Sequence, residues 1–432
     1  MSFARGLTFV LSGLLIVFQA VPVMAAGRVC ANLFIGSGDI ASDVTKPAAR
    51  AQLAPRPVGE LGSIAWKRSE VRVVDGVRSI VRAGIFTGAE PETQGLQVAF
   101  DFSRPARRER QPVALLLHGV LDRREDLDGL SKEVEKRGWD LLRVDMLGHG
   151  VTAELNPQLL DQSASIDYRL QVQILAALLR KLSATFQLEN PVLLGHSLGG
   201  GMAMAMGKGL REAGLPARTI VPIAPLFAPI DKYLREHGHE PDVLNFYKEQ
   251  VIKKMGIQNP FATVAYNFLV GSIVQMAIRS ARMVSDVAQM HQGVTGVSSA
   301  TALMEDNFRR YEEEKNDALP EASKMTPKQI ELFLQGGIAV TRGVSDFDFQ
   351  AAQDPVAIDG ATPTLVIWAS GDMVVIPPQV AGFEKFAKER GYDISFKEMD
   401  ADHQVTQTHA AKLMDSVVEF MQARGLLPIS KK

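Results

Sequence analysis

The stretch Pro191-Val-Leu-Leu-Gly-His-Ser-Leu-Gly-Gly200 constrains the fold more than any other part of the chain. An apolar run stops abruptly at Gly195-His196-Ser197-Leu198-Gly199 and passes into a small-residue helical pattern, so the backbone must run strand, sharp turn, helix, with Ser197 at the apex. Glycine is needed at 195 and 199 because a side chain two positions either side of the serine would strike neighbouring backbone. The serine itself is expected in a strained conformation that exposes its hydroxyl.

The body around this turn is large. With 432 residues, 46% of them hydrophobic, the chain can bury a substantial core, as one large domain with an insertion or as two smaller ones. A formal net charge of -2 provides no basic field for nucleic acid, which excludes that class of partner. The single cysteine, Cys30, excludes an intramolecular disulfide and a cysteine-based metal cluster. His237-Gly-His239 and Asp346-Phe-Asp348 each bring too few converging ligands for a metal, and no cofactor is implied.

Residues 1–26 carry an early positive charge at Arg5, an apolar centre from Leu7 to Phe18 and small residues near Ala25 and Ala26. This reads as a secretory signal peptide, or as an uncleaved N-terminal anchor, since the apolar stretch runs to roughly 20 residues. Either way the body is expected to be exported: periplasmic or secreted in a bacterium. A lipoprotein reading through Cys30 is disfavoured by Arg28, which stands where such signals carry small or apolar residues. Residues 27–62, rich in Ala, Pro, Gly and Ser without periodicity, form an irregular leader.

Val71–Val74, Ser79–Phe86 and Leu96–Phe102 alternate or cluster β-formers between glycine-containing turns, which predicts an antiparallel meander. Val113–Leu117 is a continuous apolar run, as a strand buried on both faces requires. A helix over Glu125–Arg137, a strand over Trp139–Asp145 and a helix over Tyr168–Leu182 lead to the elbow strand. After a strand at Thr219–Ala224 the β/α rhythm stops, and 225–349 reads as helical. Within it Gly256–Ile278 holds no charged residue. It could cross a membrane, cover an acyl pocket or face lipid as a cap helix, or simply be buried; Asn259, Pro260, Asn267 and Gln275 argue against a span. Glu305–Lys324 is a solvated, charge-rich face. The rhythm returns with strands at Thr364–Trp368 and Ile394–Met399 around a helix at Val380–Arg390.

Gly195-His196-Ser197-Leu198-Gly199 resembles the nucleophile elbow, Gly-x-Ser-x-Gly, of the α/β-hydrolases. The resemblance extends from about Val71 to Leu427 with the insertion left out, through His118-Gly119, Asp145-Met-Leu-Gly-His-Gly150, the Asp372 turn and the His403 loop. It implies an α/β-hydrolase fold, a mostly parallel central sheet flanked by helices. The core would occupy 63–224 and 350–432, with a helical cap inserted at 225–349. It further implies that the Val120 and Leu198 backbone N–H groups form the oxyanion hole. His118 would lie beneath that loop, and Asp145 and His149 would stabilise their turn.

By the same resemblance Asp372 is the acid and His403 the base, giving Ser197, Asp372 and His403 in the chain order this family uses. Here Ala369 replaces the usual glycine of the Asp turn, Pro377 falls one position late, and Asp402 replaces the glycine that often precedes the histidine. His409, inside the last helical pattern, is the alternative base. A serine hydroxyl needs an imidazole to take its proton, and the imidazole needs a carboxylate to fix its tautomer.

The resulting expectation is an exported serine hydrolase that cleaves carboxylic esters through an acyl-enzyme, lipase- or esterase-like, with a small-molecule or lipid ester as substrate. Serine at the elbow argues against the dehalogenase and epoxide-hydrolase chemistry that this family runs with aspartate. An acyltransferase, peptidase or carbon-carbon hydrolase would use the same residues, and a binding protein could keep the fold without turnover. Association with a membrane surface, through the N-terminal segment or the cap, is a further expectation.

Overall fold

Whether a strand reads as alternating or as continuously apolar decides where it lies in the sheet. The computed structural model describes residues 61–106, 111–160, 165–228, 233, 237, 240–254, 313, 316, 324–344, 349, 358–372 and 374–427. The signal or anchor segment 1–26, the leader up to 60, the uncharged stretch 256–278 and most of the charged run 305–324 lie outside them. Among the described residues no helix is long and apolar enough to cross a membrane.

Strands β1 (Gly62–Val74), β2 (Val77–Gly88) and β3 (Gln97–Pro105) form an antiparallel meander. Asp75-Gly76 joins the first two with φ of 47° and 78°, the positive angles that match a two-residue hairpin to the strand twist. β4 (Val113–Leu117), β5 (Asp140–Val144), β6 (Val192–His196) and β7 (Thr219–Ile223) are buried at every position. Strands β8 (Thr364–Ala369) and β9 (Ile394–Met399) complete a nine-stranded sheet in the order β1-β2-β3-β5-β4-β6-β7-β8-β9. β3 pairs antiparallel with β5, and every pair beyond it is parallel.

Helices α1 (Asp128–Lys136), α2 (Gly150–Leu155), α3 (Tyr168–Phe186) and α4 (Leu198–Glu212) link the strands up to β7. The expected helix from Glu125 is split: Arg124–Leu127 forms a 3₁₀ turn first, where the Arg123 N–H donates to Asp126 Oδ2 at 2.9 Å. α5 (Pro241–Lys254) opens on a proline, whose missing N–H costs nothing at a helix start. After it come α6 (Pro327–Gly343), α7 (Pro377–Glu389), the short α8 (Val405–Thr408) and α9 (Ala410–Ala423).

Both faces of the parallel strands are covered. Leu130 and Val134 of α1 join Leu413, Met414 and Val417 of α9 over Ala114, Leu116, Leu194, Val221 and Ile367. α4 lies on the opposite pleat, because a Cβ on its Gly207 would stand 2.5 Å from Ile220, the neighbour of Val221. With helices on both faces, the parallel strands deliver their C-terminal loops to one edge.

The described residues fall into two compact units: those from 233 to 324 in one, and the sheet with its helices, up to 228 and from 325 onward, in the other. The insertion read from the sequence ended at 349, whereas α6 belongs to the sheet unit. Its glycines are the physical reason, since a Cβ on Gly336 would stand 1.8 Å from the Gly148 carbonyl oxygen and one on Gly343 1.9 Å from that of Ile166. The Ile166 N–H also donates to Ala339 O at 2.9 Å.

Candidate active site

Ser197 sits between β6 and α4 with φ 54° and ψ -118°, a conformation that a non-glycine residue holds only when its surroundings impose it. The surroundings are backbone. The Ser197 N–H donates to Ile223 O at 2.9 Å, and its carbonyl accepts from Gly200 and Leu226 at 3.0 and 2.9 Å. A Cβ on Gly195 would stand 2.0 Å from Gly199 O, and one on Gly199 2.4 Å from Leu117 O, so the turn closes only with glycine at both positions.

The loop after β4 is fastened to this elbow. The Gly199 N–H donates to His118 O at 3.1 Å, and a Cβ on Gly119 would stand 3.3 Å from Ser197 Cβ. Val120 therefore follows directly beside the nucleophile position. Leu198 opens α4, where the first N–H groups have no intrahelical acceptor. Two such amides can hold the charge that develops on a tetrahedral oxygen.

His118, Asp145 and His149 brace that loop from below. The Met146 N–H donates to His118 Nε2 at 3.0 Å, and His118 Nδ1 lies 2.7 Å from Gly119 O. The Leu121 N–H donates to His149 Nε2 at 3.3 Å, and His149 Nδ1 lies 3.0 Å from Leu147 O. Both rings are therefore neutral, with the proton on Nδ1. Burial lowers the His149 pKa to about 3. Asp145 accepts from the Arg124 and Val151 N–H groups, each at 3.0 Å. Burial raises the Asp145 pKa against the opposing pull of Arg124.

On the far side of the elbow, Asp372 follows β8 and His403 follows β9. Asp372 is fully buried; its Oδ1 accepts from the Val374 and Val375 N–H groups at 2.7 and 2.9 Å, and its Oδ2 lies 2.7 Å from His403 Nδ1. The Gly371 N–H donates to Ala401 O at 2.9 Å, tying the two loops together. Burial opposes a charge on His403, but Asp372, with smaller contributions from Asp122 and Asp402, raises its pKa above the ordinary value. With Nδ1–H committed to Asp372, Nε2 keeps its lone pair and can accept a proton.

His196 connects the two halves. Its Nε2 lies 2.8 Å from the His403 carbonyl oxygen and its ring 4.9 Å from the His403 ring. Ser197, Asp372 and His403 thus gather at one sheet edge, together with Val120 and Leu198. His409 does not join them; it stands at the junction of α8 and α9, its Nδ1 2.8 Å from Thr408 Oγ1. Sequence reasoning left out Asp122, whose Oδ2 lies 3.6 Å from His196 Nδ1; no motif marks it. Among the described residues no group of three or more His, Cys, Asp or Glu is placed to hold a metal ion.

A parallel sheet with an antiparallel leading meander, helices on both faces and a glycine-flanked serine elbow define an α/β-hydrolase. Residues 108–403 match the family described as serine aminopeptidase, S33, and the chain belongs to that family. No curated protein matches the chain. Solved structures similar to it include epoxide hydrolase VrEH1 from Vigna radiata, at 14% identity over 82% of this chain and 98% of that one, with a TM-score of 0.43. An esterase from Thermogutta terrifontis is 14% identical over 83% and 99%, with a TM-score of 0.42. A haloalkane dehalogenase variant from Bradyrhizobium elkanii is 13% identical over 84% and 99%, with a TM-score of 0.45.

Proposed function

We propose that this protein is a serine hydrolase that cleaves carboxylic esters through an acyl-enzyme. The observation that carries the reading is the 2.7 Å contact between His403 Nδ1 and Asp372 Oδ2, on a loop held to the residue before Ser197. In this reading His403 Nε2 takes the Ser197 proton as Oγ attacks the ester carbonyl. The Val120 and Leu198 N–H groups hold the oxyanion. His403 then gives the proton to the leaving alcohol, and water repeats the cycle on the acyl-enzyme.

The substrate is an ester with an apolar acyl chain. Support comes from the sequence of Gly256–Ile278, which carries no charged residue and suits an apolar ligand. The protein is exported, on the strength of the signal-like residues 1–26. N-terminal sequencing of the mature protein after cell fractionation tests the export; an intact Met1 in the cytoplasmic fraction would reject it.

A fluorophosphonate probe and p-nitrophenyl esters from acetyl to palmitoyl, applied to the protein and to Ser197→Ala, test the chemistry. Labelling and turnover that vanish in the variant support it, and turnover that rises with chain length supports the acyl pocket. Labelling no better than that of Ser197→Ala would reject the nucleophile. A second reading, hydrolysis of an N-terminal aminoacyl bond, is favoured by the description of the matched family. Cleavage of aminoacyl p-nitroanilides faster than any ester in the series would install it instead.

A further inference from the structure

The elbow holds a second carboxylate–imidazole pair that the chemistry above leaves unused. His196 is 2% exposed and Asp122 9%, with Asp122 Oδ2 3.6 Å from His196 Nδ1. On the other side of the ring, Nε2 lies 2.8 Å from the His403 carbonyl oxygen. A carbonyl only accepts, so Nε2 carries a proton. Asp122 Oδ2 faces the opposite edge of the ring, near enough to act on it through its charge and too far for a hydrogen bond.

Three loops converge at this pair: Asp122 follows β4, His196 ends β6 and His403 follows β9. Gly119 makes the convergence possible. A Cβ there would stand 2.6 Å from Asp122 Oδ2, 3.3 Å from His196 Nδ1 and 3.3 Å from Ser197 Cβ.

We propose that Asp122 and His196 are positioning residues: the imidazole clamps the backbone of His403 and so fixes the base against Ser197, and the Asp122 carboxylate sets the imidazole in place. The inference rests on the reading of Ser197 and His403 given above. Among the charged and titratable groups, Asp122 acts on the His403 and His149 rings, and Asp372 and Asp402 act on His403 as well. Asp122 adds to the negative field that favours a protonated His403.

The test compares the protein with Asp122→Asn, His196→Phe and the double variant in p-nitrophenyl butyrate hydrolysis, each normalised by fluorophosphonate titration of active sites. Each single change is expected to lower kcat by about 10- to 100-fold with little change in KM, as misplacement of a base does. Because Asp122 acts through His196, the double variant should lose no more than His196→Phe alone. Asp122→Asn should also move the acid limb of the kcat/KM profile to lower pH, which a merely structural role would not do.

Should His196→Phe fail to fold, the near-isosteric Asp122→Asn decides alone. Additive losses, an unchanged kcat, or a raised KM with kcat intact, the mark of a substrate contact, would overturn the proposal. If the unmodified protein neither takes the probe nor turns over an ester, the Ser197 reading fails instead. The downfield proton resonance of His403 Nδ1–H then reads the clamp without substrate: an upfield shift in Asp122→Asn supports it, and an unmoved line rejects it.

Discussion

Asp372 divides its two oxygens between two tasks, Oδ1 for the Val374 and Val375 amides and Oδ2 for His403 Nδ1 at 2.7 Å. Asp372→Asn can keep the amide bonds through its carbonyl but must turn an NH₂ towards the ring, which then has to flip its tautomer and lose its base at Nε2. The fold should survive while kcat falls by about four orders of magnitude. Steady-state ester hydrolysis beside a melting curve checks both halves, and a kcat within tenfold of the parent would remove Asp372 from the role of acid.

The raised pKa of His403 sets the acid limb of activity. The base must be neutral to act, so kcat/KM should fall through an apparent pKa above the 6.5 of an unperturbed imidazole. The sign for stability is opposite. The folded state favours the charged ring, so this contribution is complete below the unfolded pKa and is lost as pH rises through the folded one. His403→Ala should abolish the limb together with most turnover, whereas His409→Ala, half-buried beside Thr408, should leave both. A limb at or below 6.5 would sink the argument.

What the sequence discloses of this fold follows from how local each signal is. Val113–Leu117 and Thr364–Trp368 are readable as strands because burial on both faces leaves them apolar apart from Thr364. Ser197 is readable because two glycines flank it and a strand precedes it. α6 is different, since its helical pattern resembles that of the insertion before it. Contacts between distant segments, among them Gly336 against Gly148 and Gly343 against Ile166, place it on the sheet unit. Asp122 escapes for the same reason: its partner His196 is met only through the tertiary fold.

His149 should make the protein sensitive to acid. Its folded pKa is depressed to about 3, so the neutral ring contributes stability above the unfolded pKa near 6.5 that is progressively lost as pH falls towards 3. His149→Phe keeps the ring but strips the Leu121 N–H of its acceptor, an expected cost of about 1–3 kcal/mol for an orphaned buried donor. Denaturant melts at pH 7.5 and 5 should show a lower midpoint for the variant at pH 7.5 and a smaller gap at pH 5. An unchanged gap would show that His149 does not control acid stability.

Gly336 and Gly337 sit inside α6, where alanine would ordinarily gain about 1 kcal/mol of helix propensity each. Packing reverses that sign to different degrees. A Cβ on Gly336 would stand 1.8 Å from the Gly148 carbonyl, which is backbone and cannot step aside; on Gly337 it would stand 2.3 Å from Leu121 Cδ2, the end of a side chain that can rotate. Gly336→Ala should therefore destabilise by about 1–3 kcal/mol or more, while Gly337→Ala costs less. Leu121, however, holds φ 56° immediately after Val120, so pushing its side chain disturbs the amide assigned to the oxyanion. Gly337→Ala should accordingly lose more kcat than stability and Gly336→Ala the reverse. Melting curves and ester turnover on the two variants test the pair, and equal losses in both would mean that α6 does not support the loop after β4.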